Sequence, residues 1–254
     1  MKKIKNRNLI VWIVFLAGGL VTGGDMALSA DNPDHSIYGE LLQKYVKNGE
    51  VDYQGFKTEE ARLDQYLSIL EKTDTKKLSP KEQFAFYINA YNAWTIKLIL
   101  GAYPGLKSIW DLGNVIKSPW KKKIARIDGD VITLDNIEHD ILRPRFKDPR
   151  IHFAVNCASK GCPPLRSEPY EGYVLDKQLE VMTALFINDP KRNRLEGNTL
   201  YVSRIFKWYA KDFNSDILGF FLKYARGELK ETLTKHRKEI RVKYLKYDWS
   251  LNGK

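Results

Sequence analysis

The chain has 254 residues, 43% of them hydrophobic and 12% aromatic, which supplies a sizeable core and excludes a chain left unfolded for want of one. Its formal net charge is +11, which serves solubility alone or contact with anionic envelope polymers or lipid head groups, and it has only two cysteines, Cys157 and Cys162. At the start, Lys2, Lys3, Lys5 and Arg7 precede an apolar run of fourteen residues from Leu9 to Thr22. Small residues suited to cleavage follow at Ala27-Leu28-Ser29-Ala30. Residues 1–30 therefore read as a secretory signal peptide, and the expected address is periplasmic or secreted. The run is shorter than the ~20 residues of a membrane span, so membrane attachment is expected only through an uncleaved signal segment. Removing residues 1–30 takes away four cations and one acid, leaving +8 on residues 31–254. At that address an envelope peptide or polymer is the expected partner, and nucleic acid is not.

Residues 31–254 read as one globular domain without linker, repeat or low-complexity tract. Apolar spacing predicts helices over 36–48, stopped by Gly49, and over 58–73, with a short extended or turn segment at 51–55 between them. The strongest element follows. Ser79, Pro80 and Glu82 form a capping box, and the helix they open runs to Leu100, ended by Gly101 and Pro104. It is apolar nearly all round, so it belongs in the core. Asn89 and Asn92 lie on one of its faces and need hydrogen-bond partners if buried.

Residues 108–120 read as irregular, anchored by Trp110 and Trp120. Asp128-Gly129 predicts a type I′ hairpin between 125–127 and 130–133. Thr133 or Asp135 then caps a helix through Ile137 and His139 to Leu142, with Pro144 as its stop. The apolar run 151–156 reads as a central strand. Further helices are predicted over 175–187, 205–213, 217–226 and 232–239. A second hairpin spans 194–202, and a terminal strand 241–247. The expected fold class is α+β: a single domain with a small, mainly antiparallel sheet packed by about eight helices. Trp110, Trp120, Trp208 and Trp249 read chiefly as core, with a glycan or peptide groove as the alternative.

Chemistry concentrates where the run at 151–156 meets the Lys160-Gly161-Cys162-Pro163-Pro164 turn. His152 and Cys157 offer the minimal kit for acyl transfer, an imidazole base and a thiolate nucleophile. A third group is then needed to orient the imidazole, and Asn89, Asn92, Glu138 or Asp248 is available. Cys157 is the better nucleophile, because the two prolines after Cys162 fix its backbone. A metal is the second reading, with His152, Cys157 and Cys162 as ligands and His139 or Glu138 as a fourth. The third is a Cys157–Cys162 disulfide that staples the loop in an oxidising compartment, with His152 as a hydrogen-bonded core residue. Sequence leaves all three open, and it identifies no cofactor. His139 reads as a surface residue. The asparagines are more simply explained as ties between the core helix and neighbouring loops.

These residues have a familiar order. Phe86-Tyr87-Ile88-Asn89-Ala90-Tyr91-Asn92-Ala93 comes first, then Ile137-Glu138-His139 with Leu142-Arg143. His152-Phe153-Ala154-Val155-Asn156-Cys157-Ala158-Ser159 follows with Cys162-Pro163, and then Tyr247-Asp248-Trp249-Ser250-Leu251-Asn252. The pattern resembles the family of domain of unknown function number 547, over roughly residues 36–252. The resemblance implies that the polar residues form one recurrent unit. It also implies paired cysteines in intracellular members, which favours a thiol site. A looser similarity links the chain to papain-like and transglutaminase-like cysteine enzymes, although His152 here precedes Cys157. Two functions are thus expected to compete. One is thiol-dependent hydrolysis or acyl transfer on an envelope peptide or ester. The other is a non-enzymatic envelope-binding or scaffold module with a stapled loop.

Overall fold

Helix Pro80–Leu100 sits at the centre of the fold. Ser79 Oγ accepts from the Glu82 amide while the Glu82 carboxylate accepts from the Ser79 amide, so the expected capping box is formed. Every residue from Gln83 to Leu100 is buried except Lys97, which reaches out to Glu60 (2.8 Å) and Asp64 (2.5 Å). The computed structural model describes residues 32–113 and 118–253; the signal peptide expected over residues 1–30 lies outside them.

Among the described residues, two hydrophobic clusters build the domain. The first surrounds the core helix and takes in helices Ser36–Tyr45 and Glu60–Lys72 and the hairpin Lys123–Ile127/Asp130–Thr133. Asp128 (φ 52°) and Gly129 (φ 83°) both adopt the left-handed conformation that a type I′ turn demands. The second cluster is phenylalanine-rich: Phe153, Phe186, Phe206, Phe213 and Phe221 pack between helices Leu175–Ile187 and Ile217–Tyr224. Residues 151–158 run along the seam. Ile151, Ala154 and Val155 belong to the first cluster, while Phe153 enters the second and Cys157 packs against it.

The α+β class holds, with the strands distributed over three small sheets among the described residues. Two are antiparallel pairs, Val46–Lys47 with Glu50–Val51 and the hairpin above. In the third, Arg194–Glu196 pairs antiparallel with Thr199–Val202, which pairs parallel with Arg241–Tyr244.

Two expectations about the central segments need correction. The apolar run 151–156 is not a strand; a 3-10 helix spans Pro149–Phe153, capped by Asp148, whose carboxylate accepts from the Arg150 amide at 2.9 Å. The run is apolar because it is buried between two clusters, a condition that strands and short helices share. The Asp148-Pro149 pair is a helix-start signal. Second, the helix after Thr133 does not stop at Pro144. It is a π-helix, Asn136–Phe146, with Pro144 inside it. In an α-helix a proline ring collides with the carbonyl four residues back; the wider π-turn, bonded to the fifth residue back, relieves that conflict.

Candidate active-site cleft

The asparagines of the core helix hold loops in place. Asn89 donates to the Tyr170 carbonyl (2.8 Å) and accepts from the Tyr170 amide (2.8 Å). Its Nδ2 also meets His35 Nε2 at 3.3 Å, while His35 Nδ1 meets Tyr66 Oη at 2.8 Å. Burial lowers the His35 pKa from 6.5 to about 4. Asn92 treats the Cys loop in the same manner, donating to the Ala154 carbonyl (2.9 Å) and accepting from the Asn156 amide (2.8 Å). Asn156 in turn donates to the Pro163 carbonyl and accepts from Ala158 N and Asn252 Nδ2. The segment 248–252 completes the clamp, for the Lys160 and Gly161 amides donate to the Ser250 and Asp248 carbonyls (2.8 Å each).

Held this way, the loop borders a cleft of about 590 Å³ at the seam of the two clusters. His152 is almost fully buried at its base. Its Nε2 lies 2.7 Å from Asp212 Oδ2, and its ring stacks on Tyr209 with centroids 3.8 Å apart. Arg143 grips the same carboxylate with two donors, Nε to Oδ2 (2.7 Å) and Nη2 to Oδ1 (3.0 Å). Hydrogen bonds from His152 and Arg143 hold the Asp212 carboxyl well below the usual carboxylate range, despite partial burial that acts the other way. Arg143 Nη1 continues to His139 Nδ1 (2.9 Å), and Tyr209 Oη donates to Glu138 Oε1 at 2.6 Å. Burial, reinforced by the Glu138 charge, pushes the Tyr209 phenol well above its ordinary pKa. The π-helix explains why Glu138, His139 and Arg143 line one cleft: residues four and five apart come into line on its wide turn.

Cys157 and Cys162 line the same cleft and are joined as a disulfide. Tyr247 Oη lies 3.4 Å from Cys157 Sγ and 3.3 Å from Cys162 Sγ, and Ser159 Oγ lies 3.2 Å from Cys157 Sγ. Of the residues named from sequence, His152, Cys157, Cys162, Glu138 and the half-buried His139 thus line one cleft, whereas Asn89 and Asn92 stand behind it as ties to the backbone. No hydrogen bond joins His152 to Cys157. Asp212, not Asn89, Asn92, Glu138 or Asp248, partners the imidazole; Asp248 instead accepts from Ser250 N and Oγ. Among the described residues, no group of three or more His, Cys, Asp and Glu is placed to hold a metal ion.

The tryptophans also need correction. Trp110, Trp120, Trp208 and Trp249 form a wall of the cleft, with Tyr247 at its end, and neighbouring ring centroids lie 4.5 to 5.9 Å apart. Trp110 and Trp208 are 44% and 43% exposed, so they are not core. Sequence reasoning missed Tyr209 and Asp212 altogether. The available signal was their i, i+3 spacing in a helical, aromatic stretch, which places an acid and a phenol on one face.

A family model described as a protein of unknown function, DUF547, matches residues 75–187. The resemblance to that family is shown over this span. The DUF547 span contains Asn89, Asn92, Glu138, His139, Arg143, His152 and both cysteines; Trp208, Tyr209, Asp212, Tyr247 and Trp249 lie beyond it. No curated protein and no solved structure matches the chain, and the looser likeness to papain-like and transglutaminase-like enzymes is not shown.

Proposed function

We propose that this is an exported protein whose cleft carries out thiol-dependent hydrolysis or acyl transfer on an amide or ester of an envelope peptide, with the disulfide as its resting form. One observation carries the reading: Cys157 shares a cleft with a buried histidine whose Nε2 is bound to a carboxylate that Arg143 holds in place. An external dithiol must first reduce the Cys157–Cys162 bond, giving two thiols and itself becoming a disulfide. Because the ionised Asp212 carboxylate accepts a hydrogen bond from Nε2–H, Nδ1 is the basic nitrogen of His152, and it accepts the Cys157 proton in this reaction. The thiolate then adds to the substrate carbonyl carbon. A carbon–sulfur bond forms, the carbon–nitrogen or carbon–oxygen bond breaks, and the leaving group takes the proton back from the imidazolium. Water, or an acceptor amine or alcohol, releases the acyl group from sulfur. The aromatic wall supports a substrate with apolar or aromatic side chains.

A second reading has its own observation, the disulfide itself. With both sulfurs bonded, the cleft is a stapled envelope-binding surface and no nucleophile is needed. Intact-mass analysis with iodoacetamide separates the two. After reduction, Cys157 is expected to label faster than a free model thiol, and His152→Ala is expected to slow it to that reference rate. Labelling at the reference rate in both proteins would refute the enzymatic reading and leave the binding one. Export is tested by N-terminal sequencing of secreted material, where a chain still beginning at Met1 would refute it.

A further inference from the structure

A second cavity, of about 300 Å³, borders the same loop at Lys160 and Gly161 and shares Tyr247 with the cleft. Its charges are one-sided. Arg192 lines it but is already occupied: Nε donates to the Cys162 carbonyl (2.9 Å), Nη2 to the Lys160 carbonyl (3.1 Å), and Asp189 takes its charge. Four other cations are not. The ammonium groups of Lys160, Lys191 and Lys246, among the described residues, enter no ion pair or hydrogen bond. Arg204 uses only Nε, on the Leu245 carbonyl (3.3 Å), which leaves the two terminal nitrogens of its fork free. Two carboxylates face them, Glu50 and Asp248, the latter engaged with Ser250. The cavity is therefore a recess rimmed by exposed cations with an excess of two positive charges.

We infer that this cavity binds a phosphate monoester group through Arg204, Lys160, Lys191 and Lys246. A phosphate monoester carries close to two negative charges near neutral pH, which matches the excess. A diester or a carboxylate brings one charge and meets only half of it. The arginine fork suits two phosphate oxygens at once, and the lysines add mobile point charges around the third. The volume leaves room for part of the esterified alcohol. The inference stands apart from the acyl-transfer reading, since none of its four cations lines the aromatic cleft.

The test uses the full chain at low salt. Inorganic phosphate and glycerol 3-phosphate are titrated by calorimetry, and cosedimentation is measured with phosphatidylcholine vesicles with and without phosphatidic acid. Saturable binding to at least one phosphate probe is expected. The triple variant Lys160→Gln/Arg204→Gln/Lys246→Gln should bind at least about tenfold more weakly. The charge-matched control Lys72→Gln/Lys76→Gln/Lys235→Gln, at cations outside the cavity, should stay within about twofold. Glu50→Gln removes an opposing charge and should tighten binding by about two- to fivefold, a gain that misfolding cannot produce. Binding of the soluble ester identifies a soluble ligand, and binding of the vesicles alone identifies a lipid headgroup; both support the site. No saturable binding to any probe, or equal loss in the control, would overturn it.

Discussion

The core helix Pro80–Leu100 and the π-helix Asn136–Phe146 both bury polar side chains, and they use them in opposite ways. Asn89 and Asn92 are tied to main-chain groups, at Tyr170 and at Ala154 and Asn156. Glu138 and Arg143 are tied to other side chains, Tyr209 and Asp212, along the base of an open cleft. The contrast teaches that burial alone does not mark a site. An amide that completes the backbone's hydrogen bonds builds the scaffold, whereas ionisable groups linked to one another beside open volume mark a candidate site.

The sharpest way to break this comparison is Asn92→Leu. It orphans the Asn156 amide and the Ala154 carbonyl together, and a loss of about 2–4 kcal/mol is expected from thermal or urea melts. An unchanged melt would remove the asparagine from the scaffold. Acid titration comes next. His35 is held neutral in the folded state, so the unfolded chain takes up the proton first. Stability is therefore full above about pH 6.5 and falls as pH drops toward 4, by roughly 2–3 kcal/mol at pH 4.5. His35→Gln should flatten that window, and a variant with the same slope would show that another group titrates there.

Asp212→Asn should cost less, about 1–2 kcal/mol, because the carboxylate is partly solvated. Its signature is different. The carboxyl is depressed in the folded protein, so its contribution is present above the ordinary carboxylate range and lost as pH falls below it. Melts of wild type and variant should converge in strong acid; a constant gap would mean that packing, not charge, explains the cost. The smallest effect belongs to the wall: Trp208→Ala should shift stability by no more than about 0.5–1 kcal/mol. A loss on the scale of Asn92→Leu would make Trp208 a core residue after all.

Legibility followed the reach of the signals. The capping box at Ser79–Glu82 and the Asp128-Gly129 turn are decided within four residues, and both formed as read. The partner of His152 lies 60 residues further on, and only the packing of the phenylalanine cluster brings Asp212 to it. The run 151–156 misled because burial on two sides erases the periodicity that separates strand from helix. The tryptophans misled for a related reason: composition gives the affinity of a ring for apolar surroundings, but a wall of a cleft offers those surroundings on one side only.

The clamp on the Cys loop has a consequence for how the chain is made. Tyr247, whose hydroxyl sits against both sulfurs, is 90 residues downstream of Cys157. The carbonyls of Asp248 and Ser250 that receive the loop amides follow it directly. A ribosome making the chain from its amino end therefore presents both cysteines, together with the asparagines that shape their loop, long before the latch exists. During that interval the sulfurs are open to the redox partners of whichever compartment the chain has reached. Cys157 thus precedes the Tyr247 latch by 90 residues along the chain.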